Sequence, residues 1–419
     1  MDSINFGTGR IGEIISYLKK KHNVEDATTL SEDIKLNALL DSLNLDVEDF
    51  DALIAENSPV FRTVKGHAFE SVFKYILEEN DYLAIQIGGD DAVDLMVNDF
   101  SLQLKTPNMA GTNSEYVQYK THKTHGAKSE KESMGYYHGI NHFADFLVGL
   151  ITYEPLNILI LNQNEIPRHP NDNNKIKSPF RIRWRNHKGL NNFERLGIKN
   201  IDLKRNSHIP SNALLEVLPK SSSKLNLKSE IIIDTILTDG NFRIWDMSIR
   251  GFAREVVINN FLIKHNIECL NPVNLRPIRG DKADFAVKIN GSNTFFQVKG
   301  VSTNNCRFQG INSVVATETQ LTRGRVNDHP TQSRLYLKSD FEYLVLALGP
   351  PLVKLFSEEI GIDFKIEWKI FMIPTDELQS HAKMNHRINS LQKFLYKDLL
   401  KYELSSENIS KIFKPQLCS

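Results

Sequence analysis

The chain has 419 residues, which is enough for two or three domains with buried cores. Its 51 basic and 51 acidic residues give a formal net charge of zero, and 41% of the residues are hydrophobic. This balance excludes a uniformly basic nucleic-acid-coating protein and a chain kept unfolded by its own charge. Three widely spaced cysteines argue against a disulfide framework or a structural zinc site. Without a signal peptide or a membrane-spanning apolar run, a soluble intracellular protein is expected.

The N-terminal segment, residues 1–60, is acidic and shows helical periodicity. Residues 25–56 hold ten acidic residues against the single base Lys35. Apolar residues recur at helical spacing between Leu36 and Leu43, which predicts short helices that end near Pro59.

Two long parts of the remaining chain match each other in order, as a repeated domain would. The paired segments are Lys65–Glu70 with Arg250–Glu255, Ala92–Val97 with Lys282–Val287, Leu102–Lys105 with Phe296–Lys299, Asp145–Val148 with Glu342–Val345, and Ile158–Leu161 with Trp368–Phe371. The offset grows from 185 residues at the first pair to 197 at the fourth, as insertions in connecting loops would produce. We therefore predict an internal duplication.

The duplication predicts a first domain at residues 61–220 and a second at 221–380. Residues 170–174 read as a loop, and Pro219 with Ser221–Ser223 reads as the linker between the halves. The remaining segment, residues 381–419, is predicted to be helical. Its apolar stripe consists of Leu391, Phe394, Leu395 and Leu399.

Both repeats carry the same polar residues in the same order. The first has Glu70, Asp94, Gln103 and Lys105, and the second has Glu255, Asp284, Gln297 and Lys299. The glutamates fall on amphipathic helices, near their starts, and the other residues fall on two strands joined by a turn at Asn98–Asp99 or Asn290–Gly291. Because residues i and i+2 of a strand point the same way, glutamine and lysine project together. We expect the aspartate to converge with them.

An aspartate followed by an acid-or-Gln-x-Lys element, after a Glu-bearing helix, resembles the PD-(D/E)xK nuclease superfamily. The Gln-x-Lys form resembles variants among type II restriction endonucleases. The resemblance covers residues 62–168 and 247–380. It implies an α/β fold of mixed sheets flanked by helices, as two tandem restriction-endonuclease-like domains. The chain departs from the pattern in two ways: Val93 or Ala283 precedes the aspartate in place of proline, and glutamine replaces the middle acid.

The resemblance implies Mg²⁺-dependent hydrolysis of phosphodiester bonds. Mg²⁺ prefers carboxylates together with waters and phosphate oxygens, and an amide carbonyl is a neutral oxygen ligand. The implied metal ligands are Asp94, Gln103 and Glu70 in the first repeat, and Asp284, Gln297 and Glu255 in the second. Lys105 and Lys299 would position the attacking water and help deprotonate it.

Basic residues follow each Gln-x-Lys element and are candidates for contacts to DNA phosphates or bases. Residues 168–205 hold eleven basic residues against three acidic ones, and the run Arg181–Arg185 alternates like a β-ribbon with one basic face. The DNA-binding candidates are Lys120, Lys123, Arg181, Arg183, Arg185, Arg307, Arg323 and Arg325. The same features also fit a solvated loop or an edge strand protected by charge.

Two nuclease sites in one chain would replace the symmetric dimer that most enzymes use to cut both strands. We therefore expect a monomeric type II site-specific endonuclease acting on double-stranded DNA, cytoplasmic in a prokaryote and functionally paired with a DNA methyltransferase. Two alternatives stay open. One is a structure-selective repair or junction nuclease, and the other is a non-catalytic DNA-binding protein built on nuclease folds.

Overall fold

The computed structural model describes residues 8–87, 93–107, 115–121, 139, 143–199, 201–202, 208–238, 240–270, 282–289, 291–301, 306–320, 335–409 and 413. The helices are α1 (Ile11–His22), α2 (Glu32–Leu43), α3 (Val47–Glu56), α4 (Ser58–Glu78), α5 (Pro219–Leu225), α6 (Ser229–Leu237), α7 (Arg250–Lys264), α8 (Pro350–Ile360) and α9 (Tyr396–Leu399).

The strands up to the middle of the chain are β1 (Ala84–Gln86), β2 (Leu95–Val97), β3 (Phe100–Lys105), β4 (Tyr116–Tyr119), β5 (Phe146–Tyr153), β6 (Leu156–Asn162), β7 (Arg168–His169), β8 (Asp172–Ile176) and β9 (Phe180–Arg183). The later strands are β10 (Cys269–Leu270), β11 (Phe285–Ile289), β12 (Ser292–Gly300), β13 (Val314–Glu318), β14 (Tyr343–Leu348), β15 (Lys369–Pro374), β16 (Ser380–His381), β17 (Met384–Ile388) and β18 (Leu391–Leu395).

The chain forms two compact units. The first unit comprises Ile54–Trp245, and the second comprises Met1–Leu53 with Asp246–Ser419. The N-terminal helices thus belong to the second unit, where the Trp368 indole N–H donates to the Leu43 carbonyl at the end of α2. These units differ in extent from the four segments read from the sequence.

Each unit contains a five-stranded mixed sheet, and the two sheets have the same strand order. The order is β1-β2-β3-β5-β6 in the first unit and β10-β11-β12-β14-β15 in the second. In both sheets the third and fourth strands are parallel and the other neighbours are antiparallel. The parallel pairing places Gln103 beside Leu147 and Gln297 beside Leu344. The expected mixed α/β fold with flanking helices is confirmed.

Both Asp-bearing hairpins turn where the sequence supplies residues that tolerate a left-handed backbone. Asn98 has a φ of 52° between β2 and β3, and Gly291 has a φ of 78° between β11 and β12. Asparagine and glycine are favoured in this region of backbone space, which is why such turns close two-stranded hairpins. The turns fix the registers that position the candidate sites.

The sheet of the second unit is buried on both faces, and alternate residues of β12 face different cores. Phe295 packs in a core with Leu344 and Leu346, whereas Phe296 and Val298 pack in the core that includes α7. Because strand residues alternate between faces, Gln297 and Lys299 lie on the same face as Phe295, away from the face that α7 covers.

A partly buried ion-pair cluster holds the segment after β6. The Glu165 carboxylate accepts hydrogen bonds from the Arg195 guanidinium at 2.5 and 3.1 Å and lies 2.9 Å from the Lys188 ammonium. Burial opposes ionisation, yet the hydrogen bonds from these two basic groups hold the pKa of Glu165 at about 2. The residue in the corresponding place after β15, Glu377, is exposed.

Two local predictions are wrong, and a third is right only in part. Residues 380–395 form strands rather than a helix, because β18 pairs antiparallel with β13 along five residues. The serine-rich linker lies inside α5, where Ser221 and Ser222 are fully buried. In the predicted loop at residues 170–174, Pro170 and Asn171 do form the turn of the β7–β8 hairpin, but Asp172–Asn174 begin strand β8. Short apolar runs do not distinguish a strand from a helix by spacing.

The expected helices of the acidic segment are confirmed as α2 and α3, which ends at Glu56. The matched helix motifs differ in position. Arg250 begins α7, whereas α4 begins at Ser58, seven residues before Lys65. None of the helices within the described residues is both long and apolar enough to span a bilayer.

Candidate active sites

The first site lies at the end of the β2–β3 hairpin, whose register puts Asp94 opposite Gln103. The Asp94 Oδ2 atom accepts a hydrogen bond of 2.7 Å from the Leu104 backbone N–H. The Lys105 Nζ atom lies 3.7 Å from the same oxygen. The hairpin therefore brings the aspartate and the lysine together, as the strand alternation predicts.

The second site repeats this arrangement on the β11–β12 hairpin, with Asp284 opposite Gln297. The Asp284 Oδ2 atom accepts a hydrogen bond of 2.7 Å from the Val298 N–H and another from the Gln297 side-chain amide. The lysine differs from its counterpart, since the Lys299 Nζ atom donates to the Tyr336 hydroxyl at 3.2 Å and lies over the tyrosine ring. The two hairpins thus have the same backbone arrangement, and the contacts of their lysines differ.

In the first unit Glu70 reaches the site from α4. Its carboxylate lies 3.2 Å from the His67 Nδ1 atom. Burial raises the pKa of the Asp94 carboxyl, and the Glu70 charge raises it further, while Lys105 lowers it. Glu70 and Lys105 therefore both act electrostatically on Asp94, as a joint site requires.

In the second unit Glu255 on α7 is in a more strongly perturbed setting. Burial raises the pKa of Glu255 to about 8, with the Asp284 carboxylate adding to the increase and Arg254 and Lys299 opposing it. Burial also lowers the pKa of the Lys299 ammonium. Strongly shifted groups that face one another are typical of functional sites.

The two glutamines share an unusual feature. Gln103 and Gln297 are 2% and 3% exposed, and in each the side-chain carbonyl oxygen has no hydrogen-bond partner among the described residues. A buried acceptor without a partner costs about 1–3 kcal/mol, so such atoms in a folded protein call for an explanation, for example an ion. The same atom is unpaired at the equivalent position of both sheets.

The donor set of each site fits Mg²⁺ in kind. It offers hard oxygens from an aspartate, a helix glutamate and an unpaired amide carbonyl, and Mg²⁺ completes such sets with waters and phosphate oxygens. Among the residues that the structure describes, no cluster of three or more His, Cys, Asp or Glu side chains could hold a metal ion. Metal binding would therefore depend on the glutamine carbonyls.

The predicted basic ribbon of the first unit exists. Strands β4 and β9 pair antiparallel, with Arg181 opposite Gln118 and Arg183 opposite Tyr116. These side chains alternate with residues that face the core, among them Phe180, which is 2% exposed. The arginines are exposed, so the ribbon has a basic outer face.

This ribbon is docked beside the first site. Gly149 pairs with Lys105 in the parallel register of β3 and β5. A Cβ atom on Gly149 would lie 2.3 Å from the Tyr119 ring, so glycine is what allows this ring of β4 to lie on the sheet there. The Tyr119 hydroxyl donates to the Leu150 carbonyl at 3.0 Å and fixes the contact. The ribbon is thus anchored through Tyr119 on the strand that pairs with Lys105.

The other DNA-binding candidates are placed less tightly. Lys120 is exposed directly after β4, Arg185 stacks over the Trp184 ring, and Arg307 is exposed before β13. Two of the ribbon arginines also have partners, since Arg183 lies 3.0 Å from Glu115 and Arg181 donates to Gln118 at 3.1 Å. Lys123, Arg323 and Arg325 lie outside the described residues.

Three residues of these sites escape the sequence reasoning. His67 and Arg254 lie inside the matched helix motifs, so comparing the two motifs position by position could have drawn attention to them. Tyr336 lies 37 residues beyond the lysine it contacts and outside every matched segment, so no sequence signal indicates it.

Comparisons with known proteins add little. A scan of protein-family models and a search of curated proteins both give no match. A solved structure, that of the bacterial homing endonuclease I-Ssp6803I, aligns with 40% of this chain and 94% of its own at 16% identity, with a TM-score of 0.24. A likeness this low carries no argument about fold or activity.

Proposed function

We propose that this chain is a Mg²⁺-dependent type II endonuclease that hydrolyses double-stranded DNA at a specific sequence, as a monomer with one active site per strand. One observation carries the proposal. Two sheets with the same strand order each present an aspartate opposite a buried glutamine, with a lysine two residues further and a helix glutamate within electrostatic reach. An internal duplication of a PD-(D/E)xK-like unit accounts for this agreement.

Hydrolysis of a phosphodiester needs an activated water and compensation of negative charge. Mg²⁺ held by the aspartate, the helix glutamate and the glutamine carbonyl would supply the Lewis acidity. The lysine orients the water and accepts its proton. Burial lowers the pKa of Lys299, so the amine of the second site is closer to the neutral form that accepts a proton.

The basic ribbon supports DNA as the substrate. It carries Arg181 and Arg183 on its outer face and is anchored beside Lys105 through Tyr119 and Gly149. A two-stranded ribbon fits the major groove, and arginine forms bidentate contacts with phosphates and guanine. We propose that this face positions the DNA strand that the first site cuts, and that a methyltransferase of the same specificity protects the host DNA.

The test is digestion of a sequenced supercoiled plasmid in Mg²⁺, with end-mapping of the products. Wild-type protein is expected to linearise it at defined positions. Asp94→Ala and Asp284→Ala are each expected to give nicked circles, on opposite strands, because each removes the principal carboxylate of one site. Asp99→Ala serves as the matched control, since it removes an exposed carboxylate from the turn of the same hairpin as Asp94.

The outcomes separate the variants of the proposal. If either aspartate variant linearises the plasmid as fast as wild type in a single turnover, one site per strand is wrong. If only one aspartate matters, the other unit is a binding scaffold. Faster cleavage of branched DNA than of the plain plasmid would instead favour a structure-selective nuclease.

A second candidate is a non-catalytic DNA-binding protein. The observation in its favour is the small number of carboxylates: within the described residues no group of three acidic, histidine or cysteine side chains could hold a metal. Adding Mg²⁺ to a preformed complex with the plasmid decides between the two. If the protein stays bound and no strand is cut, the result supports a non-catalytic DNA-binding protein and contradicts the proposed endonuclease.

A further inference from the structure

A cleft in the second unit brings two arginines together beside the Glu255 site. It is small, with a volume of about 30 Å³, and is partly open to solvent. Its walls come from the segment before α1 and from α2, α7 and the start of α8. Arg250 and Arg254, one turn apart on α7, line the cleft. No acidic side chain is among the described residues that line it. The cleft therefore concentrates positive charge.

Arg254 lies over the backbone of β12 at Gly300, the residue that follows the proposed catalytic lysine of the second site. A Cβ atom on Gly300 would lie 1.8 Å from the Arg254 guanidinium carbon, so the guanidinium occupies space that only glycine leaves free. Gly300 directly follows Lys299. Among the described residues, no hydrogen bond or ion pair involves this guanidinium, so its N–H donors can serve a ligand.

The two guanidinium groups also act on each other. Burial, together with the charge of Arg250, lowers the pKa of Arg254 to about 10, and Glu255 opposes the decrease. Arg250 is already engaged, since it lies 3.4 Å from Asp246 and donates to the Thr8 carbonyl at 3.0 Å. An anion bound at Arg254 would offset both the repulsion and the burial of its charge.

The first unit lacks both members of this contact. At the positions that match Arg254 and Gly300 it has Phe69 and Thr106. Phe69 is fully buried and packs against Phe73, with ring centroids 6.1 Å apart. The arginine and the glycine that makes room for it thus occur together in one unit and are replaced together in the other. The contact between this arginine and this glycine therefore has no counterpart at the matched positions of the first unit.

We infer that this cleft binds a phosphate oxyanion, with Arg254 as its principal ligand. The planar guanidinium matches the paired oxygens of a phosphate. The start of α8 adds the positive end of a helix dipole, although its first two residues are prolines and offer no N–H. Resting on the proposed function, the phosphate is a backbone phosphodiester of the DNA next to the bond that the second site cuts.

The first arm of the test measures binding of a short DNA duplex of random sequence to the full-length protein, in chelator, over a series of salt concentrations. Arg254→Gln removes the charge, and Gly300→Ala keeps it but displaces the guanidinium. Both are expected to lower the slope of log affinity against log salt by about 0.9, the loss of one phosphate contact. Lys264→Gln, an equal change of charge near the other end of α7, is the matched control and should leave the slope unchanged.

The second arm titrates inorganic phosphate by calorimetry without DNA. Weaker phosphate binding by both variants, with an unchanged DNA slope, supports the oxyanion site and assigns it to free phosphate instead. The inference is overturned if Arg254→Gln and Gly300→Ala show the same salt slope for DNA and the same affinity for phosphate as the wild-type protein and the Lys264→Gln control. Because the displaced group in Gly300→Ala is the end of a flexible side chain, this variant tests the site even if Arg254→Gln fails to fold. A protein that binds phosphate here but never cuts DNA would refute the proposed function alone.

Discussion

The Glu255 carboxyl is expected to make the second unit less stable as the pH rises. Burial and the neighbouring Asp284 raise its pKa from 4.5 to about 8, against the opposing charges of Arg254 and Lys299. Between these pH values the folded protein keeps a proton that the unfolded chain releases, so the free energy of unfolding falls with increasing pH. Below pH 4.5 the penalty is absent, and above about pH 8 it is complete.

The size of the effect follows from the shift. One pKa unit corresponds to about 1.4 kcal/mol, so a rise from 4.5 to about 8 is worth at most about 5 kcal/mol. Relaxation around the ionised group and entry of water reduce the penalty, so we expect about 2–3 kcal/mol in a measurement. Glu255→Gln removes the titrating group. The variant should therefore match wild type near pH 5 and be more stable by that amount near pH 8.5.

The assay is urea unfolding in chelator at both pH values, with hydrogen exchange of α7 and β12 to assign the change to the second unit. Glu377→Gln removes an exposed carboxylate from the same unit and serves as the control. If Glu255→Gln alters the free energy of unfolding equally at both pH values, the carboxyl does not titrate against Asp284, and this account of the site is refuted. A stabilising substitution at a proposed metal ligand would fit a site selected for chemistry rather than for stability.

The remaining predictions concern one ion-pair cluster, one positioning residue and the ribbon. In urea unfolding, Glu165→Gln should lower the free energy of unfolding at pH 7 by up to about 3 kcal/mol. The difference from wild type should disappear as the pH falls from 4.5 towards 2, because the Glu165 carboxylate is then protonated in the folded protein as well. Glu377→Gln at the matched position should show neither effect. Tyr336→Phe removes one hydrogen bond to Lys299 and should slow nicking of one strand about tenfold and shift its pH profile, while the other strand is cut at the wild-type rate. Arg181→Gln should lower the salt slope of DNA binding by about 0.9, and an unchanged slope would remove the ribbon from the DNA interface.

Whether a feature can be predicted from the sequence depends on how far apart along the chain the residues that determine it lie. The hairpins and the convergence of Asp94 with Lys105 follow from turn residues and strand alternation within a dozen residues, and the structure agrees. The strands after residue 380 could not be predicted locally, because β18 owes its conformation to β13, more than seventy residues earlier. The contact of Tyr336 with Lys299 likewise depends on tertiary packing across 37 residues.

The presence of glutamine where the PD-(D/E)xK pattern has an acid can be explained physically in the second site. Burial, with the charge of Asp284 added to it, already raises the pKa of Glu255 to about 8. A third carboxylate at position 297 would be buried beside both, since Gln297 is only 3% exposed, and would raise the pKa of Glu255 further. Gln297 instead donates its amide N–H to Asp284, which favours the ionised aspartate, and keeps its carbonyl oxygen free for a cation. With glutamine in place of an acid at position 297, the site avoids repulsion among three carboxylates and has a neutral oxygen ligand instead. Lys299, two residues further along the strand, keeps its place.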